Sequence, residues 1–181
     1  GFRPGPVTLV QARLICVKTV RFAGAQSSWQ HGSTLMSTGL AVFDTTVQET
    51  NAWLKLIEQR LPPCDRGDAY SALRGVLHVL RDHLPQEAVL SLSAQLPMLM
   101  RGFFLEGWRP ANGASRIRDP EAFLQAVAQK LPDRFPREPK AAVEAVLQVL
   151  AEQVDRDEAD KIAGHLPAPL RTLWPAPRAP R

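Results

Sequence analysis

Apolar residues recur at helical spacing along most of the chain. Thr46 and Glu49 have the spacing of a capping box, which marks the start of a helix. The residues that follow repeat in steps of three and four on one helical face: Val47, Thr50, Leu54, Ile57 and Leu61. Pro62 and Pro63 then end the pattern, because proline lacks an amide hydrogen and restricts the residue before it. A first helix is therefore predicted between Thr46 and Leu61.

Two further helices are predicted after this one. Asp65 or Asp68 can cap the second, whose apolar face again has steps of three and four: Leu73, Val76, Leu77, Leu80 and Leu84. Pro85 ends it, and a third helix begins near Gln86. The third contains Pro97, and a proline inside a helix removes one backbone hydrogen bond and clashes with the preceding turn. We expect a bend or a break there.

The chain resembles itself at an offset of 70 residues. Residues 50–104 align with residues 120–174 without a gap, and 13 of the 55 aligned positions are identical, whereas ordinary residue frequencies would give roughly three or four. The identities include these pairs: Leu77 and Leu147, Pro97 and Pro167, Arg101 and Arg171. Such a period indicates a duplicated structural unit. Equivalent core positions, and a second bend or break at Pro167, are therefore expected.

The second unit carries clearer helix boundaries than the first. Asp119 followed by Pro120 is an N-cap with proline in the first turn, and this helix stops at Pro132. Pro139 opens the next helix, and Asp155 starts the last one. No run of alternating β-branched and polar residues predicts a sheet. The predicted fold class is all-α, with two tandem three-helix repeats of about 70 residues packed into one globular body.

Four segments follow from these boundaries. Residues 1–35 are predicted to be a basic N-terminal extension outside the natural domain, with a targeting peptide as the alternative. Residues 36–118 hold the first repeat, and residues 119–174 hold the second. Residues 175–181 form a proline-rich tail that cannot continue a helix.

Net charge changes this picture little. The chain has a formal charge of +4 and a pI near 9.5, but residues 1–35 contain four basic side chains and no acidic one. The remaining 146 residues balance 18 basic against 18 acidic side chains, which argues against a strong phosphate-binding surface. No stretch of about 20 residues is continuously apolar, as a membrane helix requires. With only two cysteines, a cytoplasmic protein without membrane contact is expected.

The stretch from residue 95 to residue 110 is the most distinctive part of the sequence, because aromatic residues, methionine and arginine gather around two glycines. Such a mixture is typical of interface hot spots. We take Arg101, Phe104, Glu106 and Trp108 as candidate binding residues. The favoured alternative is structural: the aromatic residues form the core where the two repeats meet, and Arg101 pairs with Glu106 or caps a helix end.

Three arginines near this stretch form a second candidate group. Arg109, Arg116 and Arg118 lie in or beside the loop that joins the two units, and together they could contact phosphate or carboxylate groups. A solvated loop is the favoured interpretation. Neighbouring acidic residues nearly cancel their charge, which weakens any strong anion-binding field.

Histidine and cysteine residues raise the question of metal binding or catalysis. His78 with Asp82, and His83 with Glu87, are each four residues apart, and that spacing can chelate a metal. The second unit has no histidine at the equivalent positions, so surface polar residues are the favoured interpretation. Cys64 lies in a proline-rich turn without a histidine nearby in sequence, which leaves a catalytic thiol as an alternative. We predict no catalytic residue, no metal and no cofactor.

Several motifs resemble those of a known family. These are VFDTTVQETNAWL at 42–54, ALRGVLH at 72–78, QLP at 95–97 and RGFFLEGWRP at 101–110. From about residue 36 to residue 174 the chain is similar to the bacterial domain-of-unknown-function family numbered 2267. The resemblance implies a small helical bacterial protein with no established activity and no known catalytic residues. Nothing functional is carried over from the family to individual residues.

Together these features favour a non-enzymatic module that binds a protein partner or a second copy of itself through the surface from residue 101 to residue 110. Nucleic-acid binding through the loop from Arg109 to Arg118 is the alternative, against which the neutral charge of the body counts. An enzyme or metal protein that uses His78, His83 or Cys64 is a third hypothesis.

Overall fold

The computed structural model describes residues 39–110 and 118–176. The chain divides into two units, residues 1–36 and residues 37–181, and all described residues belong to the second. The predictions for residues 1–35 and for Arg116 therefore lie outside the described residues.

The described residues form α-helices and contain no β-strand, which confirms the predicted all-α class. None of the helices is both long and apolar enough to cross a membrane within the part of the chain that is described. In chain order the elements are α1 (Ala41–Arg60), α2 (Arg66–His83), α3 (Gln86–Gln95), α4 (Met98–Leu105), α5 (Pro120–Ala128), α6 (Pro139–Gln153), α7 (Arg156–His165) and a short 3₁₀ helix (Leu170–Leu173).

Helix α1 begins five residues before the predicted start. Its N-cap is Leu40, whose side chain forms no capping hydrogen bond. The predicted capping box at Thr46 and Glu49 is therefore wrong. The hydroxyl of Thr46 instead accepts a hydrogen bond of 2.9 Å from the amide of Leu99, in the first turn of α4. Val47, which was expected on the buried face, is 41% exposed. The buried residues of α1 are Thr46, Thr50, Trp53, Leu54 and Ile57.

Helix α2 is the central element of the fold. Its predicted start is confirmed, because Asp65 and Asp68 form a reciprocal capping box in which each carboxylate accepts a backbone amide of the other residue. The predicted apolar stripe is buried along its whole length. Helices α1, α4, α5 and α6 all pack against α2. At Gly75 the approach is close, since a β-carbon there would lie 3.2 Å from the β-carbon of Lys130.

Both internal prolines interrupt helical structure, as predicted. Helix α3 ends at Gln95, and α4 begins at Met98, so the break falls at Pro97. Helix α7 ends at His165 and is followed by the 3₁₀ helix, so a second break falls at Pro167. The third predicted helix of each unit is therefore two shorter elements. Each break leaves carbonyl groups at a helix end that need hydrogen-bond donors.

One continuous hydrophobic core joins the two halves of the body. Helix α2 packs against α6, and α3 packs against α7. The proposed equivalents Leu77 and Leu147 are both buried in this core, with exposures of 0% and 1%. Asp119 caps α5 as predicted, since its carboxylate accepts a hydrogen bond from the amide of Ala122. The body is therefore held together through apolar contacts between helices that lie far apart in the sequence.

Replacing either central leucine should destabilise the whole body. We expect Leu77→Ala and Leu147→Ala each to lower the free energy of unfolding by about 2–5 kcal/mol, because each leaves a cavity in a fully packed core. Urea unfolding followed by circular dichroism measures this change. Leu90→Ala is the matched control, since Leu90 is 47% exposed and its truncation should change stability by no more than about 0.5 kcal/mol. A negligible effect at Leu77 or Leu147 would contradict the shared core.

Candidate functional site

Two basic side chains from α2 hold the end of α4. The ring nitrogen Nε2 of His78 lies 2.7 Å from the carbonyl oxygen of Phe103, and because that oxygen can only accept, Nε2 donates. Nη1 of Arg81 donates to the carbonyl of Phe104 and, at 2.9 Å, to the carbonyl of Glu106. Both side chains are buried. Arg81 supplies donors to carbonyl groups at the helix end, and His78 adds a second donor to the Phe103 carbonyl, which also accepts the amide of Glu106. Together these bonds fix the position of α4 on α2.

His78 and His83 are buried structural groups, and the interpretation of surface polar residues is wrong for them. Burial lowers the pKa of His78, while the hydrogen bond to Phe103 acts in the opposite direction. His83 donates from Nδ1 to the carbonyl of Val79 at 2.6 Å and lies edge-on to Phe123. Its Nε2 atom is buried without a hydrogen-bond partner. No group of three metal-ligating side chains occurs within residues 39–110 and 118–176.

Arg101 caps the helix that precedes it. Its Nε atom donates to the carbonyl of Ser93 at 2.8 Å, and Nη2 reaches the carbonyls of Ala94 and Leu96. Arg171 makes the matching bonds in the second half, from Nε to the carbonyl of Leu166 and from Nη2 to that of Gly164. One of the two structural alternatives for Arg101, the helix cap, is therefore what the structure shows.

The other predicted binding residues are divided between core and surface. Phe104 is fully buried, and Trp108 packs partly against the core, so both contribute to the fold. Glu106 is exposed and pairs with Arg74 at 2.7 Å, not with Arg101. That hydrogen bond lowers the pKa of Glu106, which keeps the carboxylate ionised with its charge matched by the guanidinium.

The loop arginines do not gather into a described site. Arg109 is exposed at one side of the undescribed loop, and Arg118 is exposed at the other. Cys64, the alternative candidate for chemistry, is buried. Burial, together with the charge of Asp68, raises the pKa of this thiol. A thiol with a raised pKa is a poor nucleophile near neutral pH.

An open apolar groove lies between α1 and α4. It has a volume of about 810 Å³, within the range of ligand-binding clefts. We call it the α1–α4 groove. Most of the side chains that line it are apolar, and these are Phe43, Val47, Leu54, Tyr70, Met98, Leu99 and Phe103. Thr46, Thr50, Asn51, Gly102 and Glu106 complete the lining. Of the predicted binding surface from residue 101 to residue 110, Gly102, Phe103 and Glu106 line the groove.

The two threonines in the groove use their hydrogen bonds within the protein. Thr50 donates from its hydroxyl to the carbonyl of Thr46 at 2.7 Å, and the Thr46 hydroxyl accepts the amide of Leu99. Tyr70 lies edge-on to Phe103 across the end of the groove. The groove therefore presents an apolar surface despite the polar residues in its lining.

The sequence held a signal for this groove, but the assumed helix start obscured it. With α1 beginning at Ala41, Phe43 and Val47 lie one turn apart on the same face. Met98 and Leu99 follow Pro97 directly, and both are 47% exposed. Steps of three and four from Val89 place Leu99 on the same face as Leu92 and Leu96, so periodicity alone assigns this half-exposed side chain to the core. An uninterrupted third helix would have turned these residues differently from the separate helix α4.

A second concavity lies at the start of α6, with a volume of about 570 Å³. Charged side chains of both signs line it, among them Arg137, Glu138, Lys140 and Glu144. Lys140 and Glu144 are 3.8 Å apart and partly neutralise each other. This concavity therefore lacks both the apolar surface of the α1–α4 groove and a field of one sign.

The comparison with protein families gives a match over most of the chain. The family described as "Uncharacterized conserved protein (DUF2267)" matches residues 50–173. The chain belongs to the DUF2267 family. This confirms the resemblance found in the sequence motifs. The comparison with curated proteins finds no match.

The matched range divides the groove of this DUF2267 protein. It begins at Thr50, inside α1, so Phe43 and Val47 precede it. Tyr70, Met98 and Leu99 lie within it. The groove thus combines residues of the family match with a helical extension on its N-terminal side.

Removing the arginine cap should change stability in this DUF2267 protein and leave surface recognition intact. We expect Arg101→Ala and Arg171→Ala each to lower the free energy of unfolding by about 1 kcal/mol, since carbonyl groups at a helix end lose a charged donor. Thermal and urea unfolding measure the loss. Arg109→Ala is the control, because Arg109 is exposed in a loop. Equal stability of the Arg101 and Arg109 variants would contradict the capping role.

Acidification should destabilise the DUF2267 protein through His78. Its pKa is lowered in the folded state from an ordinary value of 6.5, so the neutral form is favoured there. The unfolded chain takes up the proton first as pH falls, and the stability present above about pH 6.5 is lost as pH falls towards the folded pKa.

The variant His78→Gln isolates this effect. Its amide can still donate to the Phe103 carbonyl but does not titrate. Urea unfolding at pH 7.5 and at pH 5.5 should show a smaller loss of stability in the variant than in the wild type. Equal losses would show that His78 does not carry the dependence.

Proposed function

We propose that this DUF2267 protein is a non-enzymatic protein-interaction or self-association module and that the α1–α4 groove is its binding surface. The proposal moves the surface from the predicted stretch around Arg101 and Trp108 to the neighbouring groove. The two share the end of α4, where Phe103 and Glu106 contribute to the lining.

One observation carries this proposal: large apolar side chains are gathered and exposed in one place. Phe43, Val47, Tyr70, Met98 and Leu99 are each 40–47% exposed, and all five line the groove. Single exposed apolar residues are common on protein surfaces, but a contiguous cluster is typical of a binding site. Methionine and aromatic side chains are also enriched where proteins bind each other. A protein surface is the occupant that suits an open apolar groove.

The residues considered for catalysis or metal binding, His78, His83 and Cys64, support a role without catalysis. His78 donates to a backbone carbonyl of α4, and His83 donates to one of its own helix. The Cys64 thiol is buried, with a raised pKa. Each of these side chains therefore has a structural explanation that does not require a substrate.

We also infer that the body arose from a duplicated unit, although each unit contains more than three elements. Helix α7 is displaced from α3 by 70 residues at both ends. Under this offset, α1 corresponds to α5 and α2 corresponds to α6. The packing between the units is reciprocal, since α1 packs on α6 as α5 packs on α2. The pairs α2–α6 and α3–α7 each join equivalent helices. Reciprocal contacts of this kind are typical of two units related by a local two-fold axis.

Under this duplication, the second unit does not repeat the apolar residues of the groove. The second unit has Lys140 where the first has Tyr70, and it has Ala168 and Pro169 where the first has Met98 and Leu99. A packing role common to both units would call for apolar residues in both. The difference supports a function for the groove that belongs to the first unit alone.

Site-specific photo-crosslinking tests the proposed function. A photoreactive amino acid at Met98 of the full chain should form a protein adduct in cells. The same amino acid at Leu90 is the matched control, because Leu90 is also 47% exposed but lies on α3, outside the groove. Phe43→Glu should remove the adduct by placing a charge on the apolar surface. Absence of a protein adduct at position 98, or an equal yield at position 90, would overturn the proposal.

A further inference from the structure

We infer that the α1–α4 groove binds a second copy of this chain, which gives a two-fold symmetric homodimer. The inference rests on the proposed function and names the partner of the same groove. In such a dimer the same patch serves both protomers. The exposed side chains of α1 and α4 from one copy lie against the groove of the other.

Charge is the first argument for a second copy. A two-fold interface brings a patch against itself, so any unbalanced charge near its centre faces a like charge and repels it. Glu106 is the one residue in the groove lining with a formal charge at neutral pH. Arg74 balances it at a distance of 2.7 Å. The surface is therefore close to neutral and tolerates its own copy, whereas it offers no net charge to select a strongly acidic or basic partner.

The shape of the patch is the second argument, since it contains both projecting side chains and a depression. Phe43 and Val47 stand along one side, on α1, while Met98 and Leu99 stand along the other, on α4. A surface that supplies both projections and a groove can be complementary to itself, as an isologous contact requires.

The exposed area is the third argument. Five side chains that line the groove are 40–47% exposed: Phe43, Val47, Tyr70, Met98 and Leu99. At roughly 80 Å² for each half-exposed large side chain, they supply on the order of 400 Å² of apolar surface. A standard stable interface buries about 800 Å² on each partner, of which rather more than half is apolar. Most of the apolar part of such an interface is therefore present on the monomer.

The internal hydrogen bonds of the threonines favour a dry contact. The hydroxyl oxygens of Thr46 and Thr50 already have hydrogen-bond partners, at the amide of Leu99 and in the α1 backbone. Covering these two side chains therefore leaves neither oxygen without a partner while apolar surface is removed from water.

The mass of the full chain in solution tests this inference. Light scattering coupled to size exclusion, over a wide concentration range, should give twice the chain mass of 20.0 kDa. Leu99→Glu should raise the dimer dissociation constant about thirtyfold or more and shift the mass towards the monomer. Leu90→Glu is the matched control and should remain dimeric, because Leu90 has the same 47% exposure on a different helix.

A second variant guards against a folding defect. Phe43→Ser lies near the start of α1, outside the family match, and should also shift the mass towards the monomer. Circular dichroism should show unchanged helix content in all three variants. A wild-type chain that stays monomeric, or a dimer that both groove variants leave intact, would overturn the inference.

The crosslinked species at Met98 separates the two proposals. Adduct peptides from this chain, absent in Leu99→Glu, support the homodimer. If the adduct contains peptides from another protein and this chain is monomeric in solution, the homodimer is overturned and the proposed function stands. No protein adduct at all overturns both. An apolar small molecule that copurifies with the wild type and is lost in Leu99→Glu would likewise count against both.

Discussion

The carbonyl groups at the end of α4 impose the constraint on which the candidate surface depends. They lie against α2 in a largely apolar interior, where an unsatisfied carbonyl would be strongly destabilising. His78 and Arg81 supply the donors from successive turns of α2. Because both side chains are buried, the geometry of these bonds sets the position of α4. The groove follows from that position, since α4 forms one of its walls.

The proline breaks create a related constraint. By ending α3 and α7, Pro97 and Pro167 leave carbonyl groups exposed at two more helix ends. Arg101 and Arg171 cap them in matching ways. The arginine in the motif that first suggested a binding surface is thus explained by backbone satisfaction. Freed from α3, helix α4 can turn across α1 and bring Met98 and Leu99 beside Phe43.

The structure divides the predicted binding residues between core and surface, and the proposed groove adjoins them. A cluster of aromatic, methionine and arginine residues marks both cores and interfaces, because both need large contact areas. Burial separates the two, and it places Phe104 inside while leaving Met98 and Leu99 half-exposed. Sequence periodicity cannot make this distinction when a helix breaks, since the break rotates the face that follows it.

Local chemistry in the sequence determined the helical class, most helix boundaries and both breaks. The capping carboxylates at Asp65 and Asp119 and the prolines act on their immediate neighbours, so short windows of sequence suffice to predict them. Tertiary structure alone decided the start of α1, the burial of His78 and His83, and the formation of the groove. In the first case Thr46 bonds to an amide 53 residues away, and such a partner exists only once the chain has folded. Contacts of this range depend on the packing of whole helices, which no local pattern specifies.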